Sequence, residues 1–573
     1  MSTDVESIKN AARKFALQNA VSFDGSAQLK AVMGKVIADF RKEGVHPKEI
    51  IPIVKEVVSE VNLLTVDEQR DELEKTAPEL LEKKKQERDY SLADLPGAEQ
   101  GKVVTRFPPE PNGYLHIGHA KAAIVDFEYA KKYDGSFILR FDDTNPLKDK
   151  LEFYDAQKKD LSWLNITWDK EYHTSDNLPK HYQLAAQLIA QKDAYVCTCS
   201  SEEIKLGRKN RKPCACQQKS VEEHQALWEE MHEGSLSAVL RLNADMKSDN
   251  TAMRDPTLFR IIHAKHPLQG DRFHVWPTYD FAGAVEDSLS GVTHPFRTKE
   301  YELRDDVYFY LLDKLGLRKP HLMEFARLSI EGMPVSKRKI SPLVEQGKVT
   351  GYDDVRLPTL RGLRRRGIVP NALKQFVFQQ GISKVESTVP FSLVESENRK
   401  VIDPVSKRLF FVPDPVKVMV SDVSDKTVSV PFHPKDDALG KRTIQTTNVF
   451  YIPKSDVQRL HQGDVFRLKD LYNVSVDEIG DTMIHASYVG TDLIADSLKV
   501  QWVSETYIPL TVFVPDVLMK NDVFNEDSLQ RITGYGEPAI ADLEDGEIVQ
   551  FERFGFVRIE HDNNQIYVFF THR

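Results

Sequence analysis

The chain has 573 residues, too many for one hydrophobic core at the usual domain size of roughly 100–200 residues, so several domains are expected. Hydrophobic residues make up 41% and charged residues 29%, no apolar run approaches the roughly 18 residues of a membrane span, and the polar start MSTDVESIKN is unlike a secretory signal, so the sequence reads as cytoplasmic with no membrane partner. A net charge of −10 argues against coating nucleic acid through bulk charge, while leaving room for local basic patches.

From Val5 to about Leu92 the pattern is helical. Ile8, Ala12 and Phe15 share a face, as do Val32, Val36, Ile37 and Phe40, and Pro47 opens a further helix in HPKEIIPIVKEVVSEV. The charge run EKKKQER (82–88), read as a solvated helix end in preference to a nucleic-acid contact, leads to a linker in LPGAEQG (95–101).

From 102 to about 176 strand and helix alternate. KVVTRF (102–107), a helix after Gly118 and SFILRF (136–141) read as parallel βαβ units. Between the first strand and the helix lies PPEPNGYLHIGH (108–119). A strand feeding a turn at Asn112-Gly113 and then a helix is the geometry that aims helix N-terminal amides at an anion, although no Walker A glycine-lysine pattern occurs. His116 and His119, three apart, share one helix face and can donate hydrogen bonds to phosphate oxygens. Gly118 lacks a side chain, which would let a flat ring such as adenine lie against the backbone. Isolated histidines more often fill a helix surface, but the prolines and the βα context favour a site.

All four cysteines follow within one short stretch, Cys197, Cys199, Cys214 and Cys216 in CTCSSEEIKLGRKNRKPCAC (197–216). Two CxC pairs flanking a basic loop match a closed, structural thiolate zinc site; disulfides are disfavoured in a cytosolic chain, and scattered inert thiols would not cluster this way. Beyond about residue 400 come short strands, FFVPDPVKVMV, TVSVPF, NVFYI and QIYVFF, separated by turn-forming residues, a spacing that predicts barrels or sandwiches.

RFPPEPNGYLHIGHAKA (106–122) resembles the HIGH motif of class I aminoacyl-tRNA synthetases in the form shared by glutamyl and glutaminyl enzymes. RFDDTNP (140–146), MRDP (253–256), WPTYDF (276–281), GVTHPFRTKEY (291–301), VSKRK (335–339) and LRGLRRRG (360–367) fall in the family's order. A helical region in front and β-barrels behind resemble the archaeal type of glutamyl enzyme. The fold class this implies is multidomain α/β plus all-β. Its parts are a helical N-terminal domain (1–95), a Rossmann catalytic domain in two halves (100–176 and 275–328), an acceptor-binding insertion with the zinc site (177–274), a helical domain carrying VSKRK (329–399) and anticodon-binding β-barrels (400–573).

The resemblance implies ATP binding, with Mg2+, by Pro109, His116, Gly118, His119, Ser336 and Lys337, and catalysis by His116, His119 and Lys337 acting as fixed donors on developing phosphate charge. VSKRK stands where many members have KMSKS; Val335 replaces Met and Pro334 replaces the leading Lys, while Ser336-Lys337 is kept. Arg106, Glu110, Asp142 and Tyr279 are implied to line the amino-acid pocket, Asp142 holding the substrate ammonium as a buried carboxylate. Arg297 stands where glutamyl enzymes carry Arg and glutaminyl enzymes a small neutral residue. A guanidinium pairs bidentately with a carboxylate and offers no acceptor to an amide, so the expectation is glutamate, with a glutaminyl enzyme as the alternative and a surface ion pair with Glu300 or Glu302 as the competing role for Arg297. A tRNA-binding protein that had lost catalysis would have damaged His116, His119 or Lys337, and a tRNA-modifying HIGH enzyme would lack the β-rich tail. The expected partners are glutamate, tRNA(Glu) and, as an open question, tRNA(Gln) with a tRNA-dependent amidotransferase.

Overall fold

A computed structural model describes residues 5–573 apart from 23–24, 41–46, 78–79, 81–91, 481, 496 and 564. The chain folds as two compact units, 1–89 and 90–573.

In the first unit, helices Val5–Ser22, Leu29–Phe40, Pro47–Val61 and Val66–Thr76 enclose their own core. The predicted faces are the buried ones: Ile8, Ala12, Val32, Val36 and Phe40 are inside, with Phe15 and Ile37 at the edge. The last helix starts where Thr65 and Glu68 form a capping box, each side chain bonded to the other's backbone amide. The charge run 82–88 lies outside the described residues.

In the second unit, the strands Val104–Phe107, Ser136–Phe141 and Lys170–His173 are parallel, and SFILRF coincides with its strand. The helix Ile117–Lys132 crosses between the first two. The amides of Thr293 and His294 donate to the Val104 carbonyl at 2.8 and 3.2 Å, setting the parallel pair Phe296–Thr298 and Met323–Phe325 beside the first strand. The three-stranded and two-stranded parallel sheets, from two stretches of chain, are thus set side by side.

The intervening residues form an antiparallel sheet of Ala194–Cys197, Val239–Leu242, Thr257–Ile261 and Val275–Pro277. Val275–Pro277 completes this sheet through pairing with Phe259, Arg260 and Ile261.

Two seven-stranded sheets, with two short two-stranded ones, make up the strands of the C-terminal region, in agreement with the expected barrels. The helix Ser392–Ile402 runs across the expected boundary at 399. Strands do not fill the sheets in chain order: Arg408–Leu409 and Phe411–Pro413 join the sheet containing Ile508–Pro515 and Gln565–His572, and the chain between builds the other. Leu409 and Phe411 enter one core while Phe410 and Val412 enter the other. A segment buried on both faces must be apolar at every position, which is why LFFV shows no alternation.

Candidate active site

The loop 108–116 between the first strand and the helix is clamped by hydrogen bonds. The Pro109 carbonyl accepts the Asp142 amide at 3.0 Å, and Gln157 donates to the carbonyls of Glu110 and Gly113 at 3.0 and 2.9 Å. The Ile117 amide donates to Pro358 and the Leu360 amide to Leu115, at 2.8 and 2.9 Å, joining the loop to the helix Leu360–Arg366.

His116 caps the helix that follows. Its Nδ1 accepts the Gly118 amide at 3.1 Å, and the His119 Nδ1 accepts the His116 amide at 3.2 Å. The two rings stack with centroids 3.8 Å apart. Burial, with the neighbouring His119 and Arg327 charges, pushes His116 well below its ordinary value; burial and Arg327 push His119 down to about 4. Both imidazoles are therefore neutral, and because Nδ1 is an acceptor in each, the proton sits on Nε2.

Two sequence expectations change here. The helix N-terminal amides, expected to face an anion, are already engaged by Pro358 and the His116 ring, which leaves the Nε2–H groups as the donors. The space over Gly118, expected to accept a flat ligand ring, holds protein: a Cβ there would lie 2.9 Å from His116 Cε1 and 3.5 Å from a Val335 methyl.

Ser336 begins the helix Lys337–Glu345, and Lys337 reaches back to donate to the Asn112 carbonyl, its stem 3.2 Å from where a Gly113 Cβ would stand. Arg327, which sequence reading missed, donates to the Val335 carbonyl at 3.3 Å and acts electrostatically on both histidines. The VSKRK segment is held from the other side by the chain around 517–525: Met519 donates to Gly332 at 3.0 Å, Lys339 pairs with Asp522 at 2.9 Å, and Leu518 shares a core with Ile340 and Leu343. Glu110 acts electrostatically on Lys337 and Arg260, so it belongs to this end of the cleft.

A second cluster lies at the C-terminal ends of the strands. Arg106 is 2% exposed and donates to both oxygens of Asp287, at 2.9 and 3.2 Å, and to the Phe296 carbonyl at 2.7 Å. Arg140 bridges Asp287 and Asp142, both at 2.7 Å. Burial opposes ionisation of Asp287, but the Arg106 and Arg140 charges outweigh it and hold the carboxyl below its usual range. Asp142, expected to be buried, retains partial exposure, its side chain being 13% exposed, and also accepts the Thr174 hydroxyl at 3.0 Å.

Tyr279, Gly283, Asp287, Arg297 and Tyr308 line one small pocket. The Arg297 guanidinium lies 5.5, 5.3 and 5.4 Å from the ring centroids of Tyr279, Tyr301 and Tyr308. Its side chain is 4% exposed, its Nε has no partner, and its nearest carboxylate is Asp305 at 3.5 Å. The competing surface pairs are absent: Glu300 pairs with Arg327 and Glu302 with Lys384. A buried guanidinium caged by rings, with donors to spare, has the chemistry to take a carboxylate.

The four cysteine sulfurs lie within 4.8 Å of one another, with Cys197–Cys214 at 3.7 Å and Cys199–Cys216 at 3.8 Å. A tetrahedron with Zn–S of about 2.3 Å has edges of about 3.8 Å, so the residues fit the ion. Arg241, 1% exposed, places Nη1 4.0 and 3.8 Å from Cys197 and Cys214, where its charge offsets thiolate charge.

A family model described as class I tRNA synthetases (E and Q), catalytic domain, matches residues 102–404. Two described as the anticodon-binding domain of the same synthetases match 406–489 and 499–560. The chain is 45% identical over 572 residues to a glutamate–tRNA ligase of Nitrosopumilus maritimus, covering 99% of this chain and 100% of that protein. It is 44% identical over 571 residues to one of Cenarchaeum symbiosum, with 99% of each chain covered, and 38% identical over 584 residues to one of Pyrococcus furiosus, with 99% and 100% covered.

Proposed function

The chain belongs to the class I tRNA synthetases for glutamate and glutamine, and on that premise we propose that it is a glutamate–tRNA ligase and assign its residues as follows. Glutamate is joined to the α-phosphate of ATP with release of pyrophosphate, and the glutamyl group passes to the terminal ribose of tRNA(Glu). The observation that carries the choice of amino acid is Arg297, buried among three tyrosines with an unpartnered Nε. A glutamine amide placed there would present N–H to N–H, whereas a glutamate carboxylate accepts two bonds. The full-length relatives named as glutamate–tRNA ligases set the glutaminyl alternative aside.

The Nε2–H groups of His116 and His119, with Lys337 and Arg327, donate to the phosphates as charge develops on them. Neutral N–H donors fixed by their own Nδ1 bonds need no reorganisation at that moment, which is what a preorganised site requires. Pro109, Gly118 and Ser336 shape the ATP site through backbone clamping, and Mg2+ enters with the phosphates. In the amino-acid pocket Asp142 receives the substrate ammonium beside Tyr279, while Arg106 acts from beneath by fixing Asp287. Glu110 is assigned to the Lys337 end of the cleft. Cys197, Cys199, Cys214 and Cys216 hold a structural zinc that staples the acceptor-binding insertion. The two β-rich C-terminal parts bind the anticodon, and the enzyme works in the cytoplasm. Whether tRNA(Gln) is also glutamylated, for an amidotransferase to complete, is open to the same assay. Charging of purified tRNA(Glu) should proceed with glutamate, and neither tRNA(Glu) nor tRNA(Gln) should be charged with glutamine; efficient glutamine charging would overturn the assignment.

A further inference from the structure

Arg297 does not wait for its ligand alone. Among the described residues its one ionic contact is Asp305, 3.5 Å from Nη1, at the first position of the helix Asp305–Leu315. Two neighbouring carboxylates are engaged by Lys384. Glu324 is the register neighbour of Arg297 on the adjacent strand but is paired with Lys384, and Glu302 faces the same lysine at 3.8 Å. Asp305 is thus the carboxylate left for Arg297. The contact is long and involves one nitrogen, so it neither fills the guanidinium fork nor fixes its plane; the rings of Tyr279, Tyr301 and Tyr308 do that. The two partners also differ in their access to water. The Asp305 side chain is 25% exposed and can be rehydrated when released, whereas that of Arg297 is 4% exposed and cannot.

We propose that Asp305 is the resting counter-ion of Arg297, displaced when the substrate side-chain carboxylate enters, so that it sets the threshold for glutamate binding. In this exchange one weak ion pair is replaced by a bidentate one, and the buried charge of Arg297 is never left without a carboxylate. A glutamine amide supplies no charge to take over from Asp305, so the resting pair also opposes the wrong substrate. Burial, opposed by the Arg297 charge and reinforced by Glu324, raises Asp305 to about 6, consistent with a carboxylate held only loosely by its cation.

This inference rests on the reading that Arg297 receives the substrate carboxylate. The test is steady-state charging of tRNA(Glu) at saturating ATP, with glutamate varied, for Asp305→Asn, Asp305→Glu and Arg297→Ala. Asp305→Asn keeps the shape and removes the charge, so KM for glutamate should fall about two- to tenfold, the scale of one partly exposed ion pair, with the change in KM rather than kcat. Asp305→Glu brings the carboxylate closer and should raise KM. Either variant alone decides the matter if the other folds poorly. Unchanged KM in both, or a raised KM in Asp305→Asn, would reduce Asp305 to a helix N-terminal acid. If Arg297→Ala also left KM unchanged, the failure would lie in the underlying assignment of Arg297.

Discussion

The His119 Nδ1 accepts the His116 amide at 3.2 Å, and the two rings stack 3.8 Å apart with both outer nitrogens protonated. A helix N-terminus is thereby converted from a row of amides into a pair of neutral imidazole donors.

If those donors act on charge that develops as pyrophosphate leaves, replacing either His116 or His119 by Ala should lower kcat for adenylate formation by roughly 10²–10³, the cost of one oxyanion-type donor. ATP binding should weaken less. Pyrophosphate exchange with tRNA present measures this; unaltered exchange in His116→Ala would make the loop a scaffold.

The depressed titration of His119 has a definite sign. Folded His119 titrates at about 4 because burial and Arg327 oppose its charge, while an unfolded imidazole titrates at about 6.5. Between those values the unfolded chain binds more protons, so stability is lost as pH falls from about 6.5 to 4. His119→Gln should show a shallower loss across that window in thermal melts. Parallel curves for the two proteins would contradict the assignment.

Gly113 lies under the Lys337 stem, and its φ is outside the left-handed region, so Gly113→Ala should fold with stability within about 0.5 kcal/mol of wild type. Its Cβ would stand 3.2 Å from the Lys337 stem, which must give by a few tenths of an ångström, so adenylate formation should fall about two- to tenfold. Full activity in this variant would show that Lys337 acts elsewhere.

Metal analysis of protein purified without chelator should find about one zinc per chain, as one closed tetrahedral site requires. Cys214→Ser should lose the metal and lower the melting temperature. Metal-free protein with unchanged stability would leave the cysteines as plain thiols.

Much of this site was legible in sequence because its signals are local. The helix after the HIGH loop, the strand SFILRF and the paired CxC stretches are each set within about thirty residues, where periodicity and spacing operate. What sequence could not supply are partners brought together by topology. Asp287 meets Arg106 across 181 residues, and nothing in either neighbourhood announces the other. Arg241 reaches the cysteines only because Val239–Leu242 pairs with Ala194–Cys197. The amides of the helix beginning at Ile117 were misjudged because His116 caps its own helix, a role more usual for Ser, Thr or Asp. FFVPDPVKVMV reads as one short strand, whereas it divides at Asp414 into strands of two different sheets.

If Arg297 receives the side-chain carboxylate of glutamate, the most direct measurement is kcat/KM for glutamate in tRNA(Glu) charging by wild type and Arg297→Ala. Loss of a buried, charge-assisted pair should cost about 2–5 kcal/mol in kcat/KM, with kcat/KM for ATP much less affected. Equal glutamate charging by the two proteins would contradict the account.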